Sequence, residues 1–313
     1  MTATRVAAID CGTNSIRLLI ADLDPATGAI TDLDRRMIIN RLGQGVDRTG
    51  RLHPDALERT FAACREYAAL IAEHRVAPDR IRMAATSASR DAENAEEFTK
   101  GVRDILGVEP EVVSGEEEAH LSFVGATREL AGGSLPGPYL VFDLGGGSTE
   151  FVLGTEDVGA ARSVDIGCVR LTERHFAGTE LPSAEQVEAA KTDVLAALDL
   201  AAETVPLTEA ATLVGLAGTV TTVAGIVLDL PEYRSELIHH SRLTVEQVRE
   251  VTERLLRSTH EERAAIPVMH PGRVDVIGAG ALVLLEIMER TGAAEVVVSE
   301  HDILDGIAWS IAP

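Results

Sequence analysis

Val6-Ala7-Ala8-Ile9-Asp10-Cys11-Gly12-Thr13-Asn14-Ser15-Ile16-Arg17-Leu18-Leu19-Ile20 has a counterpart 133 residues later, Tyr139-Leu140-Val141-Phe142-Asp143-Leu144-Gly145-Gly146-Gly147-Ser148-Thr149-Glu150-Phe151-Val152-Leu153. Each is an apolar run, an Asp-x-Gly-x-x-Ser turn and a second apolar run, so each predicts a β-hairpin tipped with small residues. Such a tip suits phosphate. Small residues let the backbone approach a ligand closely, successive N–H groups form a concavity for an anion, and Thr13, Ser15 and Ser148 add hydroxyl donors. An Asp at the end of each strand can hold a hydrated Mg²⁺, which binds through one or two carboxylates plus substrate phosphates. For one copy alone, Asp-x-Gly closing an ordinary tight hairpin explains as much. The repetition favours a pair of phosphate grips.

A third element is Gly215-Leu216-Ala217-Gly218-Thr219, which follows the strand-like Thr212 to Val214 and opens a helical run. A helix N-terminus offers unpaired amides and a dipole that favour an anion, although this signal is weak by itself.

Working outward, strands are predicted at 5–10, 16–23 and 29–40, a helix at about 54–75, a strand at 80–86, a helix at 91–106 and a short strand at 111–113. The order restarts with strands at 139–143, 148–154 and 161–166 and helices near 168–176 and 184–203. Between the halves lie a helix from Glu116 to Glu129 behind the capping residues Ser114 and Gly115, and a Gly/Pro/Ser loop from Ala131 to Pro138. Helices at about 244–257 and 278–291, a strand from Glu295 to Val298 and a final helix from Asp302, capped by Ser299, complete the chain. Hairpin-linked strands followed by alternating helix and strand imply mixed sheets with helical covers, an α/β fold present twice.

Composition narrows the function. The net charge is −22, which argues against nucleic acid or an anionic membrane as partner. Only two lysines occur, Lys100 and Lys191, neither in a GxxxxGK[ST] context, so a P-loop site is excluded and phosphate contacts fall to Arg. Three cysteines without a CxxC pair argue for buried thiols in a reducing compartment. No secretion signal is visible, and the uncharged stretch Leu213 to Leu228 is too short and too rich in Gly and Thr to span a bilayer. A soluble cytoplasmic protein is expected. The histidines form no HxxxH or HExxH pattern, and His239-His240 and His301 read as structural or surface residues.

The two hairpins, together with Ala85-Thr86-Ser87-Ala88-Ser89-Arg90-Asp91-Ala92, Ser114-Gly115-Glu116-Glu117-Glu118-Ala119 and Gly218-Thr219, resemble the exopolyphosphatase and guanosine pentaphosphate phosphohydrolase (Ppx/GppA) family over essentially the whole chain. The resemblance implies a duplicated actin-like (ribonuclease H-like) ATPase fold, with domain I at 1–120, domain II at 121–301, the last helix at about 302–313 returning to domain I, and an interdomain cleft. It implies that Glu118 activates or positions the attacking water and that Asp143 and Glu150 hold Mg²⁺ or Mn²⁺ with Asp10 nearby. Phosphate would be gripped by Gly12, Thr13, Asn14, Ser15, Arg17, Arg90, Gly145, Gly146, Gly147, Ser148, Gly218 and Thr219. A homodimer is implied as well.

The residues themselves leave alternatives open. Glu116, Glu117 and Glu118 also read as a solvated helix start, Glu150 as an exposed edge residue, Arg17 as a phosphate ligand or a carboxylate partner, and Arg90 as paired with Asp91 or Glu93. Long family members carry a C-terminal helical extension that this chain, ending at Pro313, does not show, so short chains are the expected substrate. Asp305 stands where many relatives have Arg. The expected activity is hydrolysis of the terminal phosphoanhydride of inorganic polyphosphate. Guanosine pentaphosphate is the first alternative, with no aromatic shelf for guanine evident among ten Phe, Trp and Tyr residues. An ATP-binding kinase or actin-like module is an alternative from another class.

Overall fold

The computed structural model describes residues 3–24, 26–27, 29–128 and 135–311. Its contacts group into two units, Met1–Gly125 with Ile303–Pro313, and Ala126–Asp302. The predicted Ala131–Pro138 loop and the end of the helix predicted to Glu129 lie partly outside the described residues.

The first unit carries β1 (Thr4–Cys11), β2 (Ser15–Asp24), β3 (Ala29–Ile39), β4 (Ile81–Ala85) and β5 (Glu111–Val112), in the sheet order β3-β2-β1-β4-β5. The second carries β6 (Tyr139–Leu144), β7 (Thr149–Gly154), β8 (Val158–Val164), β9 (Thr212–Leu216), β10 (Arg242–Thr244) and β11 (Glu295–Val298), in the order β10-β11-β9-β6-β7-β8. Setting β6, β7, β8, β9 and β11 over β1, β2, β3, β4 and β5 matches order and direction strand for strand. Hairpins are antiparallel, and β4 beside β1 and β9 beside β6 are parallel. The fold is the duplicated actin-like α/β fold.

Alternation sorts β1. Ala7, Ile9 and Cys11 join the core beneath the Pro54–Glu73 and Ala95–Leu106 helices, while Val6 and Ala8 pack with Leu121, Ile303, Leu304 and Ile307 on the other face. Asp10 shares the parity of Val6 and Ala8. Its side chain is therefore on the face covered by the Gly115–Thr127 and Ile303–Ile311 helices.

Several boundaries differ from the sequence expectation for local reasons. The helix expected at 91–106 begins only at Ala95, after a separate turn of helix at Ser87–Arg90, because the chain between them is drawn off to another loop. The Asn94 side chain accepts from the Leu52 amide (2.8 Å) and donates to the Leu52 carbonyl, and Glu93 N donates to Gly50 O. β8 runs from Val158 to Val164 rather than over 161–166, leaving residues 165–167 to turn beneath the β6–β7 tip. The last helix starts at Ile303, and Ser299 does not cap it, since its hydroxyl accepts from His301 N and donates to His301 O, closing a turn ahead of the helix. Ser114 does cap, accepting from Glu117 N.

Candidate functional site

In the first unit the β1–β2 turn is closed by Gly12 N donating to Ser15 O (2.9 Å). The segment after β3 folds onto it, with Arg41 N donating to Asn14 O (3.0 Å) and Gly43 N to Thr13 O (2.9 Å). A trans peptide points its C=O and the following N–H in opposite directions, so engaging the Thr13 and Asn14 carbonyls aims the Asn14 and Ser15 amides away from that segment. The second unit repeats the device. Gly145 N donates to Ser148 O (3.1 Å), Cys168 N to Gly145 O, Val169 N and Arg170 N to Gly146 O, and Arg170 Nε to Gly147 O (2.7 Å). Three carbonyls face the segment after β8, so the amides of Gly146, Gly147 and Ser148 face away as a group, a concavity of donors of the kind that suits an anion.

Close approach explains two glycines that the sequence reading passed over. A Cβ on Gly167 would meet the Gly146 backbone at 2.5 Å, and one on Gly43 would collide with the Thr13 side chain. Arg41 holds φ at +49°, a conformation uncommon for a bulky residue and characteristic of positions fixed by their surroundings.

The carboxylates differ sharply between the copies. Asp10 Oδ2 accepts from Arg17 Nε (2.9 Å) and Nη2 (2.7 Å), directly across the β1–β2 pair. Of the two roles open for Arg17, pairing with a carboxylate is the one seen. In the second unit the equivalent cross-strand pair is Asp143 opposite Glu150, both buried, at 7% and 1% exposure. Ser163 Oγ donates to Glu150 Oε1 (2.7 Å). β7 lies between β6 and β8, so Glu150 is neither exposed nor at an edge. Like charges directly opposite on one face repel, and a cation between them removes the penalty. Among the described residues no group of three His, Cys, Asp or Glu side chains could hold a metal ion. Two carboxylates suit Mg²⁺, which completes its octahedron with water and phosphate oxygens.

Glu118 is 8% exposed, on the Gly115–Thr127 helix. Its Oε2 accepts from Arg90 Nη1 (3.1 Å), which also donates to Val113 O (2.9 Å). Arg90 therefore pairs with Glu118 rather than with Asp91 or Glu93. Ser87, one turn earlier, shares a 2.8 Å hydroxyl contact with Thr13 of the tip.

Gly218 and Thr219 open the Ala217–Val227 helix, behind Ala217 at φ +71°. Sequence reasoning missed their neighbour Arg273, whose guanidinium fills the space a Gly218 Cβ would need and donates to Thr222 Oγ1 (3.0 Å). The absent side chain at 218 is the only local trace of a cation 55 positions away. Cys168, behind Thr219, is buried, which pushes its thiol pKa up despite a hydrogen bond with Thr219. All three cysteines are free and buried. Asp305 is buried too and has its cation within the first unit, in Arg35.

Among the described residues no helix is long and apolar enough to cross a membrane. The model of the Ppx/GppA phosphatase family matches residues 19–313. Exopolyphosphatase 2 of Mycobacterium tuberculosis is 50% identical over the full length of both chains. Among solved structures, an exopolyphosphatase-like protein superposes with a TM-score of 0.94 at 43% identity, covering 99% of this chain and 98% of the other. The Aquifex aeolicus Ppx/GppA family member superposes with a TM-score of 0.78 at 32% identity, covering 98% and 97%. With its paired glycine-tipped hairpins and the match over nearly all its length, the chain belongs to the Ppx/GppA phosphatase family.

Proposed function

We propose that this protein is an exopolyphosphatase that releases orthophosphate from the end of short inorganic polyphosphate chains, using Mg²⁺ or Mn²⁺ at Asp143 and Glu150 and a water oriented by Glu118. The observation that carries the reading is the buried Asp143–Glu150 pair below a turn whose amides point outward together. A bound divalent ion would neutralise charge on the phosphoryl group being transferred. The rest falls to the chain's own residues. Phosphoryl transfer asks mainly for positioning and charge stabilisation, which outward amides, arginines and a placed carboxylate supply. The full-length likeness to the M. tuberculosis exopolyphosphatase supports polyphosphate as substrate.

The proposal assigns phosphate contacts to each hairpin tip, with Asp10 and Arg17 behind the first. It also gives the Arg90–Glu118 contact a purpose. Arg90 holds the carboxylate in place, and an arriving phosphate that draws on Arg90 leaves Glu118 to accept a proton from water. A homodimer in the cytoplasm, with no nucleic-acid or membrane partner, belongs to the same reading and accords with the charge of −22.

The test is orthophosphate release by purified protein from tripolyphosphate, long polyphosphate and guanosine pentaphosphate, with Mg²⁺, with Mn²⁺ and with chelator. Metal-dependent release, fastest from tripolyphosphate, is expected. Faster release from guanosine pentaphosphate would make that nucleotide the substrate. ATP binding without release from any of the three would make the protein a binding module.

A further inference from the structure

The three carbonyls that the triglycine turn presents to the segment after β8 are not held alike. Those of Gly145 and Gly146 accept from main-chain amides, Cys168 N at 3.1 Å, Val169 N at 2.9 Å and Arg170 N at 3.0 Å. That of Gly147 accepts from a side chain, Arg170 Nε at 2.7 Å. Arg170 lies on the Cys168–Leu171 helix, whose first amides make the other contacts, so its half-buried side chain starts from backbone that is already fixed.

Gly147 is where such a hold matters. Its C=O and the Ser148 N–H belong to one peptide and point in opposite directions, so drawing the carbonyl inward sends the amide outward. With glycine at 145, 146 and 147, no Cβ restricts the backbone leading into that peptide, and its direction is set by whatever holds its carbonyl. Turned the other way, the peptide would show an anion a carbonyl oxygen in place of a donor. The first unit solves the same problem differently. Asn14 stands at the position of Gly147, and its carbonyl accepts from the main-chain N of Arg41 (3.0 Å), the residue at φ +49°. One copy uses a backbone amide from a rarely adopted conformation, and the other uses a guanidinium.

We propose that Arg170 is a positioning residue for phosphate: its Nε–H keeps the Gly147 carbonyl inward and thereby aims the Ser148 amide at the substrate. Arg170 acts through that peptide and not by its own charge on the phosphate. The proposal rests on the phosphatase reading above and adds to it a residue that lies outside every motif quoted for the family.

Three substitutions separate the hydrogen bond from the charge. Glutamine carries its amide nitrogen on Cδ, where arginine carries Nε, so Arg170→Gln keeps the donor and loses the charge. Arg170→Lys keeps the charge and has a methylene at that place, and Arg170→Met has neither. The experiment measures orthophosphate release from tripolyphosphate, and the dissociation constant of methylenediphosphonate, whose P–C–P bridge is not hydrolysed, both with Mg²⁺. Arg170→Met and Arg170→Lys are expected to lower kcat/KM and weaken methylenediphosphonate about 10- to 100-fold, since a preorganised donor is lost, while Arg170→Gln stays within about threefold of wild type. The Mg²⁺ concentration for half-maximal release should be the same in all four proteins. The proposal is overturned if Arg170→Lys matches wild type and Arg170→Gln does not, which would put the cation on phosphate directly. It is equally overturned if Arg170→Met matches wild type, if all three variants fall together, or if the metal requirement shifts, which would mean that the strand ends had moved. A wild type that binds methylenediphosphonate and releases no orthophosphate overturns the hydrolase reading alone and leaves the binding series to decide Arg170; neither binding nor release overturns both.

Discussion

Arg17 and Glu150 occupy the same position in two copies of one hairpin, each two residues past the turn serine and directly across the strand pair from the turn's aspartate. In one copy the cross-strand pair is an ion pair, Asp10 with Arg17. In the other it is two carboxylates, Asp143 with Glu150. One duplicated backbone thus carries two different cross-strand pairs, and the pair made of two carboxylates is the one suited to a divalent cation.

From this asymmetry, Glu150→Gln is expected to raise the Mg²⁺ or Mn²⁺ concentration for half-maximal activity at least about tenfold and to cut kcat about 100-fold, as loss of a phosphoryl-transfer metal does. A metal-activation curve that superposes on the wild-type curve would remove Glu150 from the metal site.

Glu118→Gln keeps the shape of the side chain and removes its basicity. It should lower kcat by about 10²- to 10⁴-fold with little change in KM. Turnover within threefold of wild type, by orthophosphate release from tripolyphosphate, would refute the role. Arg90→Lys withdraws the single nitrogen, Nη1, that reaches both Val113 O and Glu118, so it should raise KM and lower kcat together.

The hairpins were legible because two signals coincide in them, period-2 apolar runs and turn glycines. Glu150 could be assigned to its side of the strand by parity, although its burial required the β8 neighbour. What stayed hidden was long-range packing. Nothing local in Asn40-Arg41-Leu42-Gly43 or Ile166-Gly167-Cys168 says that these segments seat under the two turns and set the direction of their amides. Arg273 was invisible for the same reason, since it meets Gly218 and Thr222 from more than fifty positions away. The late start of the helix, at Ala95 rather than 91, was missed because it depends on Leu52, 42 residues before Asn94.

Gly43→Ala tests whether the post-β3 segment supports the first turn. The added methyl collides with Thr13, whose hydroxyl meets Ser87, so overpacking of about 1–3 kcal/mol is expected together with a KM for tripolyphosphate raised several-fold. Adding Thr13→Ala should relieve the collision and recover most of the stability, a coupling that a double-mutant cycle reads directly. Strictly additive losses would mean that the two residues do not meet.

Glu286 is 3% exposed within the Ile277–Thr291 helix and stands 2.9 Å from Lys191 Nζ. Burial raises its pKa above the usual carboxylate range, more than the Lys191 contact lowers it. The same contact raises the pKa of Lys191, which would point to a favourable pair, but that side chain is about one-third exposed and screened by water, so the buried partner decides. A raised folded-state pKa contributes stability that is complete below the unfolded value and fades as pH climbs through the folded one. Wild type should therefore gain on Glu286→Gln as pH falls from 7.5 toward 5.5, and at pH 7.5 the variant should be as stable or more so, since the lysine left behind is solvated. Urea midpoints of both proteins at the two pH values check this, and a wild-type advantage that grows with pH would show the pair to be net stabilising instead.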